Sequence, residues 1–177
     1  MTRVHLWGTN SAVCAVVNGA GKSLPFCVDG IYADSMQEQF SCEDNCFVNL
    51  TLVEMTQNGW LYETVENADG EAVFLILSCG ETKLLLADRP DIISSETLRS
   101  RGEAYQFVFL RAGKNDDLSF LLHAKCADTV FCCDAYGAVP QTKEKLSLLG
   151  YTVHDITDTA GVTLVLSEHG GCRVEFQ

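Results

Sequence analysis

Tyr105-Gln106-Phe107-Val108-Phe109-Leu110-Arg111-Ala112, a polar turn, Leu118-Ser119-Phe120-Leu121-Leu122-His123-Ala124-Lys125, a short break, and Thr129-Val130-Phe131-Cys132-Cys133-Asp134 make up the stretch that decides the fold. Each run is short, apolar with period-2 patterning, and closed by turn residues, which predicts successive antiparallel strands rather than helices. Further on, His154-Asp155-Ile156-Thr157-Asp158 precedes a last strand, Val162–Leu166.

Working outward, the same pattern recurs along the chain. Strands are expected at 4–7, 13–18, 24–28, 46–55, 60–65, 72–79, 82–87, 105–111, 118–125, 130–134, 145–149 and 162–166. Asn18-Gly19, Asn58-Gly59, Asp69-Gly70, Gly80 and Gly113-Lys114-Asn115-Asp116 supply turn chemistry between them, through positive φ or Asx-type hydrogen bonds. The best helical candidate, Ser95–Ala104, is polar on most faces and holds Gly102, which predicts one short turn rather than a core helix. About twelve strands without a core helix indicate an all-β class: a sandwich, a barrel or a trefoil. Strand number alone leaves these three open.

The chain of 177 residues is 47% apolar, enough for one domain with a substantial core. It contains no run near 18 consecutive apolar residues, so no membrane-spanning helix is expected. The net charge of −12 repels phosphate backbones and disfavours nucleic acid, whereas a basic partner surface suits it. Nine cysteines form an odd count, and the amino-terminal residues show no apolar leader, so the thiols are expected to be mostly reduced and to pack as small hydrophobes.

Candidate chemistry is thin. Cys42, Cys46, Cys126, Cys132 and Cys133 offer thiolates, but adjacent strand residues face opposite ways, so Cys132 and Cys133 cannot both join one site. His123 lies near Cys126, and His5, His154 and His169 are available, without an oxyanion-type glycine motif or a helix terminus to activate a thiol. The Gly-Lys-Ser at 21–23 lacks the first glycine of a phosphate loop and reads as a hairpin turn. Asn49-Leu50-Thr51 matches a glycosylation sequon inside an apolar strand pattern, and is taken as a chance match. Asp155 and Asp158 read as a solvated loop suited to contact rather than to acid–base work. No cofactor, no metal and no enzymatic activity are expected.

Several of these segments, in order, resemble the interleukin-1 cytokine family. Leu77-Ser78-Cys79 followed by Gly80-Glu81-Thr82-Lys83-Leu84-Leu85-Leu86 is similar to the family's Leu-x-Cys strand and its successor. Tyr105–Arg111 resembles its Arg-Phe-x-Phe strand, with Gln106 in place of the basic residue. Ser119–Ala124 resembles its Phe-Glu-Ser-Ala stretch. Thr129–Asp134 is similar to its Gly-Trp-Phe-Leu-Cys-Thr, with Val130-Phe131 for the aromatic pair. Asp155-Ile156-Thr157-Asp158 resembles the Asp-Ile-Thr-Asp-Phe near the carboxyl end of beta-type agonists, and Leu6–Ser11 the first-strand turn.

The resemblance implies a β-trefoil of about twelve strands in three pseudo-repeats, spanning 1–166 with a tail at 167–177. It implies a monomeric, non-enzymatic, pro-inflammatory signalling protein, held in the cytoplasm as a precursor and secreted by a leaderless route. Its partners would be an interleukin-1-type receptor with immunoglobulin domains and an accessory chain. Receptor contacts carry over to Trp7, Asn10, Ser11, Cys27, Asp29, Arg99 and Arg101, and accessory-chain contacts to Asp155 and Asp158. An aspartate at 158, where the receptor antagonist has lysine, points to the agonist branch. The alternatives are an antagonist or interleukin-18-like member, and, from another class, a trefoil lectin or protease inhibitor. Trp7 and Trp60, the two tryptophans, lie outside the Gln-x-Trp element of lectin trefoils. A helical layer, or two sheets without threefold symmetry, would remove the cytokine assignment.

Overall fold

Strands dominate the computed structural model, which describes residues 2–8, 13–19, 22–27, 60–113, 116–122, 129–134, 139–157, 161–166 and 172–176. In chain order these are β1 (Thr2–Gly8), β2 (Val13–Gly19), β3 (Lys22–Cys27), β4 (Trp60–Glu66), β5 (Ala72–Cys79), β6 (Thr82–Asp88), α1 (Ile92–Ser100), β7 (Phe107–Ala112), a 3-10 turn (Ser119–Leu122), β8 (Thr129–Asp134), α2 (Val139–Leu148), β9 (Thr152–Asp155), β10 (Val162–Leu166) and β11 (Cys172–Phe176).

Two sheets result. One is antiparallel throughout, in the order β11-β10-β1-β2-β3; the other runs β4-β5-β6-β7-β8-β9. In the second sheet β4, β5 and β6 form an antiparallel meander, whereas β6–β7, β7–β8 and β8–β9 are parallel. Parallel neighbours need a crossover of about a dozen residues or more. The segments carrying α1, the 3-10 turn and α2 serve as those crossovers.

Burial follows the alternation of the second sheet. Leu75, Leu77, Leu84, Leu86, Phe109 and Phe131 pack against Val4, Leu6, Val162 and Leu164 of the first sheet. Their neighbours Ile76, Leu85, Val108, Leu110, Val130 and Cys132 face the other way and meet Leu98 of α1, Phe120 and Leu121 of the 3-10 turn and Leu146 of α2. Among the described residues the layers therefore run sheet, sheet, helix. Strands covered on both faces read as continuous apolar runs, as Val73–Leu77 and Leu84–Ala87 do.

The mostly β expectation holds. Two features differ from the expected trefoil: the strands lie in two sheets, and one sheet contains a three-step parallel ladder. Three antiparallel pseudo-repeats have no place for such a ladder, because each parallel step needs a chain return across the sheet. Two segments change class. The strand expected at 118–125 is a 3-10 turn at Ser119–Leu122, and that at 145–149 is the end of α2. The short turn expected near 95–104 is instead a nine-residue helix starting at Ile92, which buries Leu98. Its start is fixed by a capping box: the Asp91 side chain accepts from the Ser94 N–H at 2.8 Å, and the Asp91 N–H donates to Ser94 Oγ at 3.1 Å. Cys172–Phe176, within the expected tail, pairs along β10 and extends the first sheet. The hairpin reading of the Gly-Lys-Ser stretch agrees with the register, which pairs Gly19 with Lys22. The strand expected at 46–55 lies outside the described residues.

Candidate functional site

Parallel strands gather their carboxyl ends at one pole, and open α/β sheets hold ligands there. In this chain β6 ends at Asp88, β7 at Ala112, β8 at Asp134 and β9 at Asp155. The register sets Asp88 beside Arg111, and Arg111 beside Cys133. Strand alternation turns all three toward the first sheet, on the same face as Leu86, Phe109 and Phe131.

Charge here is buried and paired. Arg111 Nε donates to Asp88 Oδ1 at 2.6 Å, with both side chains under one-tenth exposed. Next to this pair, Asp116 carries a side chain only 6% exposed. Its carboxylate accepts the Gly113 N–H and pairs with Arg89 Nε at 3.6 Å. Burial pushes the Asp116 carboxyl up, and the Gly113 N–H and the charges of Arg89 and Arg111 only partly offset that.

Backbone conformation marks the same place. Arg89 has φ of +50°, and among the described residues it is the only non-glycine with positive φ. Such a conformation costs a β-carbon-bearing residue about 1–2 kcal/mol. The strained residue is anchored on both sides: the Arg89 N–H donates to the Arg111 carbonyl, and the Asp117 N–H to the Pro90 carbonyl at 2.9 Å. Gly113 adjoins the same groups: a Cβ there would lie 2.8 Å from Arg89 Nε and 2.8 Å from Asp116 Oδ2, so a side chain at 113 would displace these two side-chain ends.

This arrangement can hold a carboxylate by one backbone N–H and two guanidinium charges. It contains two committed ion pairs and, among its described members, no hydroxyl nucleophile or imidazole. No group of three or more His, Cys, Asp or Glu among the described residues is placed to hold a metal ion.

The residues expected at a receptor surface fall on different layers. Trp7, Cys14 and Cys27 occupy one cross-strand row of the first sheet, with Cys14 of β2 between the other two. Arg99 is exposed on α1, in the helical layer. Arg101, just past that helix, pairs with Glu63 of β4 and with Glu103 at 3.5 Å. Burial of Arg101 is outweighed by these two carboxylates, which raise its pKa. Glu103 is pushed up by burial, but Lys83 at 3.0 Å and Arg101 win and hold it below the usual range. Arg101 is thus tied into a cluster that fastens the exit of α1 to β4 and β6. Asp155 is exposed at the end of β9, where it accepts from the Thr157 N–H at 3.0 Å and Oγ at 2.7 Å. Asn10, Ser11, Asp29 and Asp158 lie outside the described residues.

Sequence reasoning passed over Asp88, Arg89, Arg111 and Asp116. The available signal was an arginine closing an apolar run at Arg111 and an Asp-Arg-Pro-Asp at the end of another, 88–91. Comparison with protein-family models, curated proteins and solved structures finds no match.

Proposed function

We propose that this chain is a protein-recognition module rather than an enzyme. The observation that carries the reading is the charge balance at the carboxyl pole. An enzyme of this layered architecture would set its reacting groups there. Here the two carboxylates and two guanidiniums neutralise one another, with Asp88 and Arg111 nearly fully buried. Recognition then falls to the outer surface, and the chain's net charge of −12 favours a basic partner and speeds encounter with it. Exposed Asp155, and exposed Glu63 and Glu66 of β4, contribute to that surface.

A narrower form follows from the motif resemblance: a secreted interleukin-1-type agonist engaging an immunoglobulin-domain receptor, with the accessory chain met by Asp155 and Asp158. That form presupposes a trefoil. A parallel ladder with a helical layer argues against it, and the proposed contact residues are spread over separate layers. The coarser reading is the one concluded here.

Surface-binding measurements over a panel of interleukin-1-family receptor ectodomains, with and without accessory chain, test the narrower form. Nanomolar receptor binding that Asp158→Lys leaves intact while abolishing accessory-chain recruitment would establish it; no binding to any ectodomain removes it. The coarser reading is tested by activity. Turnover of an ester, amide or phosphate substrate that is abolished by Asp116→Asn would contradict it, because recognition alone requires no reacting carboxylate.

A further inference from the structure

The Asp116 carboxylate is held as a bound ligand would be. Its two contacts come from separate elements, Arg89 after β6 and the Gly113 N–H just past β7, and the charge of Arg111 at the end of β7 is near enough to act on it. A side chain at 113 would push Arg89 Nε and the carboxylate oxygens from their present positions. Arg111 is fixed from behind by Asp88 at 2.6 Å, so its guanidinium is oriented independently of Asp116. Arg89 keeps its left-handed backbone, and its side chain reaches Asp116 at 3.6 Å while remaining 45% exposed. Backbone N–H, fixed guanidinium and solvent-reachable guanidinium are the donors with which proteins bind carboxylates.

We propose that Gly113, Arg89 and Arg111 form a carboxylate-binding cradle, that Asp116 occupies it as an internal ligand, and that a small external carboxylate takes its place when the Asp116 side chain is removed or withdrawn. The ligand class is a compact two-oxygen anion, of which acetate and formate are the simplest members. This inference stands independently of the partner reading above.

The test is chemical rescue of Asp116→Ala, followed by thermal unfolding of the full chain. Sodium acetate or formate should raise the midpoint of the variant by about 2–4 °C over sodium chloride of equal ionic strength. The wild type, with its cradle filled, should show no such difference, and Arg89→Gln in the Asp116→Ala background should abolish it. Equal acetate effects in all three proteins would overturn the proposal, as would rescue by chloride alone. A second measurement needs no variant. In the wild type, the Gly113 amide proton resonance should move with the protonation of Asp116 as the pH falls. A Gly113 amide that ignores that titration overturns the proposal even if Asp116→Ala does not fold.

Discussion

Single residues carry the sharpest energetic consequences. Asp88 and Arg111 are close partners whose side chains are under one-tenth exposed, so removing one takes a near counter-charge from the other. Asp88→Asn should lower stability by about 3–5 kcal/mol, and the joint replacement Asp88→Leu with Arg111→Met should recover most of it. Urea unfolding of Asp88→Asn, of Asp88→Leu and Arg111→Met singly, and of the latter two combined checks this, and additive losses in the combined variant would refute the pairing. At Arg89 the backbone, not the side chain, dominates. Arg89→Gly should be more stable than Arg89→Ala by about 1 kcal/mol, because only glycine enters φ of +50° without strain. Gly161 obeys the same logic more strictly: its φ is +111°, and a Cβ would fall on the Leu6 carbonyl oxygen. The two titrating aspartates pull in opposite directions. Asp91 is pushed up by burial but pulled further down by hydrogen bonds from Ser94 and Ala68, so its folded pKa lies below the unfolded one. Its contribution is present above the ordinary carboxylate range and lost as pH falls through the folded value. Asp116 is raised, so it favours the folded state most below the unfolded pKa and progressively less as pH rises through its folded one. Stability against pH for Asp91→Ala and Asp116→Asn should therefore diverge from wild type at opposite ends of the acid range.

At the scale of elements, α1 is the instructive case. Ile92 and Ile93 are 65% and 55% exposed, while Ser94 and Ser95 are fully buried. The serines earn their interior place by hydrogen bonds: Ser94 closes the capping box and Ser95 Oγ donates to the Asp117 carbonyl at 3.4 Å. Replacing both isoleucines by serine should change stability by less than about 0.5 kcal/mol, whereas Leu98→Ala should cost about 2–5 kcal/mol. Thermal unfolding of both variants separates these outcomes. This inversion explains why the helix was hard to read. Apolar periodicity marks the buried stripe, and in α1 that stripe is mostly hydroxyl. The strands were legible because alternation and continuous apolar runs survive in them: Ala72–Cys79 and Val162–Leu166 fall where their composition puts them. The 3-10 turn at Ser119–Leu122 was misread because Phe120 and Leu121 bury two consecutive side chains, which mimics a short strand. In α2, Leu146 is buried while Leu148, like Leu149 just past the helix, is exposed, so no continuous stripe announced a helix.

For the whole molecule, the pairing sense of the strands decides between layered and threefold architectures. Local sequence cannot supply it. Phe107–Ala112 and Thr129–Asp134 have the same side-chain pattern whether they run together or opposed. What hints at parallel pairing is burial of both faces, visible in Val108 and Phe109 meeting different cores. The candidate site shares this dependence. Arg89, Arg111 and Asp116 come together because crossovers return the chain so that β6 and β7 end at the same pole; a hairpin would place those ends apart.

Nuclear Overhauser effects between the backbones of β7 and β8 test the layered account most directly. The parallel register predicts contacts that advance in step, Val108 to Val130, Phe109 to Phe131 and Leu110 to Cys132, with the same progression from Val130 to Val153 and from Phe131 to His154. Contacts that run in opposite order along Phe107–Ala112 and Thr129–Asp134 would contradict it and return the chain to an antiparallel, threefold scaffold.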